Sequence, residues 1–232
     1  MKLRRYGFAI LVLVGTTLPG SGAVVTLEAL DSGFYFADGR HNPSIENYLT
    51  GLFTTEHRSF FVFDLSPVTG IVSTATLRLF NPEVSAFLHG YVSPDPTETL
   101  NIYDVTTPAA DIIGNTAGLA GFADLGSGTL YGTRAVSAGD NGTIIEIPLN
   151  SSGVNALNAG TGLFVLGGTL GTISGPADQY VFGFSMASFV PDHTRQLVLD
   201  VAAVPEPSSA VLLSGGALVL LAAGLKRVTR RT

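Results

Sequence analysis

Ser59-Phe60-Phe61-Val62-Phe63-Asp64-Leu65 is the stretch that decides the fold. Its four central residues are all apolar, three are aromatic, and polar Ser59 and Asp64 close the run at either side. Seven residues are too few for a buried helix, and aromatic and β-branched side chains favour a pleated backbone. The segment reads as a strand buried on both faces.

Outward from this run the chain alternates rather than following a helical period. Ala75, Leu77 and Leu79 alternate with Thr76, Arg78 and Phe80, and Leu100 and Ile102 with Asn101 and Tyr103. Ile145, Ile147 and Leu149 oppose Ile144 and Glu146, while Leu197, Leu199 and Val201 oppose Gln196, Val198 and Asp200. With Gly162–Gly167 and Tyr180–Ser185 there are eight or more short strands, separated by Gly, Pro, Asn and Asp. The pattern predicts an all-β fold, an antiparallel β-sandwich of jelly-roll-like type. Two helical excursions are expected, one at Asp111–Leu119 and one at Ser152–Ala159, capped by a serine and ending at Gly160. Asp140-Asn141-Gly142 has the composition of a hairpin turn. No internal repeat is visible, which argues against propellers and solenoids.

The two ends differ from the middle. Residues 1–23 have the parts of a secretory signal: Lys2, Arg4 and Arg5, then the apolar run Phe8–Val14, then Ser21-Gly22-Ala23 with a cleavage site between Ala23 and Val24. At the other end Ala210–Leu225 carries no charge and is followed by Lys226, Arg227, Arg230 and Arg231. Ser208 and Ser209 extend it to a transmembrane segment over about 208–225, short against the roughly 20 residues a bilayer core needs. The basic tail, 226–232, is expected to stay in the cytoplasm and the body outside. The arrangement predicts a signal peptide (1–23), a sandwich domain (24–203) and a C-terminal segment (204–232).

All 18 acidic residues lie between Val24 and Pro207, with five arginines (Arg40, Arg58, Arg78, Arg134, Arg195) and no lysine, a net charge of −13 for that stretch. Phosphate binding runs on Lys and Arg, so nucleic acid is excluded as a partner. With no cysteine, disulfides, thiol catalysis and thiolate metal sites are absent.

Val204-Pro205-Glu206-Pro207, a Gly- and Ala-rich apolar segment and an Arg-rich end together resemble the PEP-CTERM sorting signal. The resemblance implies an exported protein of a Gram-negative, exopolysaccharide-producing bacterium. The resemblance further implies that its tail would be recognised near Pro-Glu-Pro by an exosortase, a membrane-embedded cysteine transpeptidase-like enzyme. The partners implied are signal peptidase and exosortase during processing, the inner membrane until the tail is removed, and exopolysaccharide afterwards. The implied location is transiently membrane-anchored, then cell surface or extracellular. Physically, the prolines keep the motif extended, and the short span parks it at the outer membrane surface. Between the ends, SFFVFDLSPVTGIVSTATLRLFNP, YVSPDPTETLNIYDVTT and FADLGSGTLYG resemble the body of many PEP-CTERM proteins. They are similar too to carbohydrate-binding-module-like jelly rolls of the DNRLRE type, although the DNRLRE hexapeptide itself is absent.

Catalytic motifs are missing. His41, His57, His89 and His193 form no H-x-H, H-x-x-x-H or H-E-x-x-H pair and read as surface or strand-end residues. There is no G-x-S-x-G elbow, and Gly167-Gly168-Thr169-Leu170-Gly171 lacks the Lys-Ser/Thr ending of a phosphate loop. Glycosidases need paired carboxylates, for which Asp95 with Glu98 or Asp38 with Glu56 are candidates, but nothing singles either pair out. No cofactor is expected beyond a structural calcium, with Asp31, Asp38, Asp64 and Asp140 as its candidate ligands, although no D-x-D-x-D-G loop is present. Tryptophan is absent, and Tyr35, Tyr48, Tyr91, Tyr103, Tyr131 and Tyr180 read as sandwich-edge residues before sugar platforms. The expectation is a non-catalytic structural or binding protein, the alternative a secreted polysaccharide hydrolase on the same fold.

Overall fold

The structure, a computed structural model, describes residues 22–84, 89–183, 185 and 193–202 of the 232. The bulk of the signal segment, the motif Val204–Pro207, the span at 208–225 and the basic tail lie outside the described residues. The elements run β1 (Ala23–Glu28), β2 (Asp31–Phe36), β3 (Thr50–Phe53), β4 (Thr55–Asp64), β5 (Ile71–Asn81), β6 (Glu98–Asp104), α1 (Ala109–Ile113), α2 (Gly118–Asp124) and β7 (Leu130–Val136). After β7 come β8 (Thr143–Pro148), α3 (Ser151–Ala159), β9 (Leu163–Leu170), β10 (Gln179–Val181) and β11 (Arg195–Ala202). One sheet has the order β1-β11-β5-β8 and the other β10-β3-β4-β9-β6-β7, with β2 also pairing β4. The pairings are antiparallel throughout. The chain is therefore an all-β sandwich with a few short helices. No helix among the described residues is long and apolar enough to cross a membrane.

The decisive run lies in β4 and is covered on both sides. Phe61 and Phe63 point into the space between the sheets, beside Leu77 and Leu79 of β5, Leu197 and Leu199 of β11 and Ile145 and Ile147 of β8. Phe60 and Val62 point the other way, into a second core with Tyr35, Ile112, Leu125 and Val165. That second core is roofed by α1 and α2, which supply Ile112 and, just past the end of α2, Leu125. Each face of the apolar run thus has its own layer, which is why the run carries no alternation.

The helical layer sits close because of a row of residues across the sheet. Gly33 of β2, Phe60 of β4 and Gly167 of β9 are register partners, so a large ring is flanked by two residues without side chains, and its edge leans over Gly33, where a Cβ would lie 2.8 Å from its Cε1. His41 occupies the space over Gly33, where a Cβ would lie 2.7 Å from its Cε1. The backbone of Leu125 occupies the space over Gly167, where a Cβ would lie 2.8 Å from its Cα. Arg58 holds the layer from its edge. Its Nη1 donates to the carbonyls of Phe122 and Ala123 in the last turn of α2, and its guanidinium lies 4.3 Å from the centre of the Phe122 ring.

Three expectations are corrected. The helix after β8 is present as α3, but its cap is Asn150, not a serine. Asn150 Oδ1 accepts from the Ser152 and Gly153 N–H groups while its Nδ2 donates to the Leu130 carbonyl, a double duty a hydroxyl cannot perform at that reach. The Asp140-Asn141-Gly142 turn does not close a hairpin, because β7 pairs with β6 in one sheet and β8 with β5 in the other. It is an arch between layers, fixed by the Ser137–Asp140 capping box and by Asn141 Oδ1, which accepts from the Tyr91 N–H and Asn81 Nδ2. Finally, His41 and His57 are not surface residues; both are buried.

Candidate functional site

A groove of about 520 Å³ opens at the N-terminal end of β4. Phe36 at the end of β2, Ala37, Asp38, Arg40, Phe53, Thr54, Thr55 and His57 line it. β2 and β3 flank β4 here on opposite sides, so His57 pairs with Phe36 on one side and Gly51 on the other.

The aromatic floor is built on His57, which is only 3% exposed. Phe34 and Phe36 each lie with ring centres 4.9 Å from its imidazole, and Phe53 lies 6.5 Å away. His57 Nδ1 is 2.8 Å from the Thr55 carbonyl, which can only accept, so the proton resides on Nδ1. Burial pushes the His57 pKa down, keeping the ring neutral. Phe53 is 41% exposed and presents an apolar ring to solvent, braced edge-on at 5.4 Å by Tyr180 of β10. At the rim Arg40 pairs with Asp38 at 2.6 Å and stands 6.0 Å from the Phe36 ring, and the guanidinium holds the Asp38 carboxyl below its usual pKa.

The lip of the groove is strained. Thr54 alone reverses the chain between β3 and β4, with Phe53 paired to Thr55 and φ of +62° at Thr54. A β-branched residue in this region costs about 1–2 kcal/mol. The Thr54 N–H donates to Asp178 Oδ1 at 3.4 Å, beside the start of β10. Thr54→Gly is expected to stabilise the protein by about 0.5–1 kcal/mol net of the added chain entropy, raising Tm by about 1–4 °C. A lower Tm would show that contacts of the Thr54 side chain outweigh the backbone strain.

Behind the groove lies one of the carboxylate pairs named from sequence. Asp95 Oδ2 and Glu98 Oε1 both accept from Gln179 Nε2, at 3.0 and 2.9 Å. Glu98 is fully buried and also accepts from Ser93 Oγ at 2.6 Å and from Thr172 Oγ1. Both of its oxygens accept from neutral donors, and the cluster pins Gln179 at the start of β10, whose next residue, Tyr180, braces Phe53. The other pair is divided between separate cations: Asp38 goes to Arg40 and Glu56 to Arg58.

The candidate calcium ligands are not gathered. Asp31 begins β2, Asp38 pairs with Arg40, Asp64 accepts from Ser66, and Asp140 accepts from Ser137 and Arg134. No three His, Asp or Glu side chains converge on a metal position among the described residues. Of the tyrosines considered as sugar platforms, Tyr35, Tyr48, Tyr91, Tyr131 and Tyr180 are buried. The aromatics that reach the groove are Phe36 and Phe53, which sequence reasoning passed over. The local signal is Phe53-Thr54-Thr55-Glu56-His57, an aromatic residue ahead of two threonines, a glutamate and a histidine. No family model matches the chain, and no curated protein matches it.

Proposed function

We propose that this is an exported, exosortase-sorted protein of the cell envelope or extracellular matrix of an exopolysaccharide-producing bacterium, and that its sandwich binds glycan through the Phe36–Phe53–His57 groove without turning it over. The observation that carries the reading is the groove itself. A solvent-facing ring with hydroxyls and a charged pair at its rim suits the apolar face and the hydroxyl edge of a sugar. The one carboxylate among its described lining residues, Asp38, is committed to Arg40, which favours binding over acid–base chemistry. We read the fold as a jelly roll. The path β1-β11-β5-β8 faces the path β4-β9-β6-β7, an interleaving of early and late strands that two Greek keys produce.

The placement of the ends supports the sorting reading. Ala23 pairs with Val201, so the cleavage site before Val24 and the last residues of β11 lie side by side. The groove lies at the other end of β4, about 30 Å along a ten-residue strand from Asp64. From Asp64 a short link reaches Gly70, which packs against Ala202. Within the sandwich, Ala23 and Ala202 thus lie toward one end of β4 and the groove toward the other. Signal peptidase, exosortase and the inner membrane are the processing partners, and the charge of −13 between Val24 and Pro207 leaves no role for nucleic acid.

The alternative, a polysaccharide hydrolase, would rest on Asp95 and Glu98. The burial of Glu98 and the three donors that its oxygens accept from favour a structural role for that pair. Sorting is tested by replacing Pro205, Glu206 and Pro207 with alanine in the full chain, in a host that contains an exosortase. The variant is expected to stay in the inner-membrane fraction while the parent chain reaches the surface or the medium. The same distribution for both would overturn the sorting reading.

A further inference from the structure

We propose that His41 is an acid-operated latch: its neutral ring locks the α1–α2 layer onto the outer face of the β4 sheet, and uptake of a proton at Nε2 releases that layer. The ring is 94% buried by its 6% exposure, stacked on Tyr35 at 5.2 Å and set edge-on to Phe60 at 4.9 Å. Nδ1 lies 3.0 Å from the Phe34 carbonyl and must donate to it, so Nε2 carries the lone pair. That Nε2 is buried with no hydrogen-bond partner among the described residues.

The latch acts on both helices. The His41 N–H donates to Asn115 Oδ1 at 2.7 Å, just past α1. Tyr35, held flat by the His41 ring, donates its hydroxyl to the Ile112 carbonyl at 2.7 Å and lies 3.2 Å from that of Asp111. The adjoining turn at Gly39 packs against the Gly118–Leu119 backbone that begins α2. A proton on Nε2 creates a buried N–H and a positive charge against Tyr35, Phe60 and Gly33, none of which offers an acceptor there. The cost of such an unmet group is relieved when the ring swings out.

The charged groups around it do not rescue the cation. Asp31 of β2 is the carboxylate whose field reaches the ring, but burial and the like charge of Glu46 push its own pKa up, and Arg195 competes for its charge. Asp111 of α1 is turned to Thr116, and Tyr35 is held neutral by burial, its pKa pushed up to about 12. Burial lowers the His41 pKa below 6.5. The unfolded or opened form therefore binds the proton first, and layer stability, full above about pH 6.5, falls as pH drops below it. The same turn carries Asp38 and Arg40 of the groove rim, so release would also loosen the proposed glycan site; that consequence alone rests on the binding reading.

Amide hydrogen exchange on the full chain at pH 7.5, 6.5, 5.5 and 5.0, corrected for intrinsic rates, tests the latch independently of any ligand. Amides of α1 and α2 are expected to lose protection by up to tenfold per pH unit as pH falls from about 6.5 toward the His41 midpoint, and to level off below it, while those of β5 and β11 hold. His41→Asn, which keeps a donor for the Phe34 carbonyl but cannot titrate, is expected to abolish the dependence. In the parent chain, ring-proton NMR should place the opening midpoint on the His41 titration rather than on that of His57 or His193, whether or not the variant folds. Helix protection that tracks β5 and β11 at every pH, or an opening midpoint that follows another histidine, would overturn the proposal.

Discussion

Phe60→Ala and Phe61→Ala, adjacent in sequence, are each expected to cost about 3–5 kcal/mol and to fail in different places. Phe61 lies between the sheets against Tyr48, with ring centres 5.4 Å apart, in the core that joins β4 to β5, β8 and β11. Its truncation removes contacts from both sheets at once, so unfolding should stay cooperative and Tm should fall by about 6–20 °C. Phe60 lies on the opposite face among Tyr35, His41 and the residues beneath α1 and α2. Its truncation should expose the helical layer first. Amides of α1 and α2 are expected to lose protection at denaturant concentrations where β5 and β11 remain closed. Uniform loss of protection in Phe60→Ala would mean that the two faces of β4 do not form separable cores.

Gly167→Ala is the second large effect, expected to destabilise by about 3 kcal/mol or more, at the upper end for overpacking. The new methyl would meet the backbone of Leu125, at 2.8 Å from its Cα and 2.9 Å from its carbonyl carbon. A flexible side chain could swing away, but a backbone can yield only by lifting the end of α2. Arg58 bonds the carbonyls of Phe122 and Ala123, and Asp124 accepts from Thr106 and Thr107, so that end is tied on two sides. Thermal melting should show a fall of about 6–12 °C. A shift within 2 °C would indicate that the helical layer stands farther from the sheet than the structure places it.

The strands that sequence revealed are those whose pattern is set by a single neighbour layer. Leu77 and Leu79, Ile145 and Ile147, and Leu197 and Leu199 alternate because one face meets the core and the other meets water. The run at Phe60–Phe63 was legible as doubly buried, and the helices near residues 111–119 and 152–159 were foreseen near their places, as α1 with α2 and as α3. β1, β2 and β3 were not singled out. β2 is interrupted by Gly33, whose purpose, to admit His41, exists only once β2 lies beside β4. The arch at Asp140–Gly142 carries ordinary hairpin residues, and only the choice of partner strands distinguishes the two outcomes.

The groove was illegible for a similar reason. Phe36, Asp38, Phe53 and His57 are scattered over some twenty positions, and no spacing rule unites them. They converge because β2 and β3 lie on opposite sides of β4 and end together near His57. Residues chosen for their chemistry alone went elsewhere. Tyr35 became a core residue that bonds α1, and half-buried Asp95 and buried Glu98 became a pin for Gln179.

Binding of glycan at Phe53 without turnover is the central claim, and calorimetric titration of the full chain with exopolysaccharide fragments tests it most directly. The parent protein is expected to bind and to release no new reducing ends, and Phe53→Ala to lose about tenfold in affinity, the roughly 1.4 kcal/mol of one stacked ring. Equal affinity in the two proteins, or the appearance of reducing ends with the parent, would contradict it.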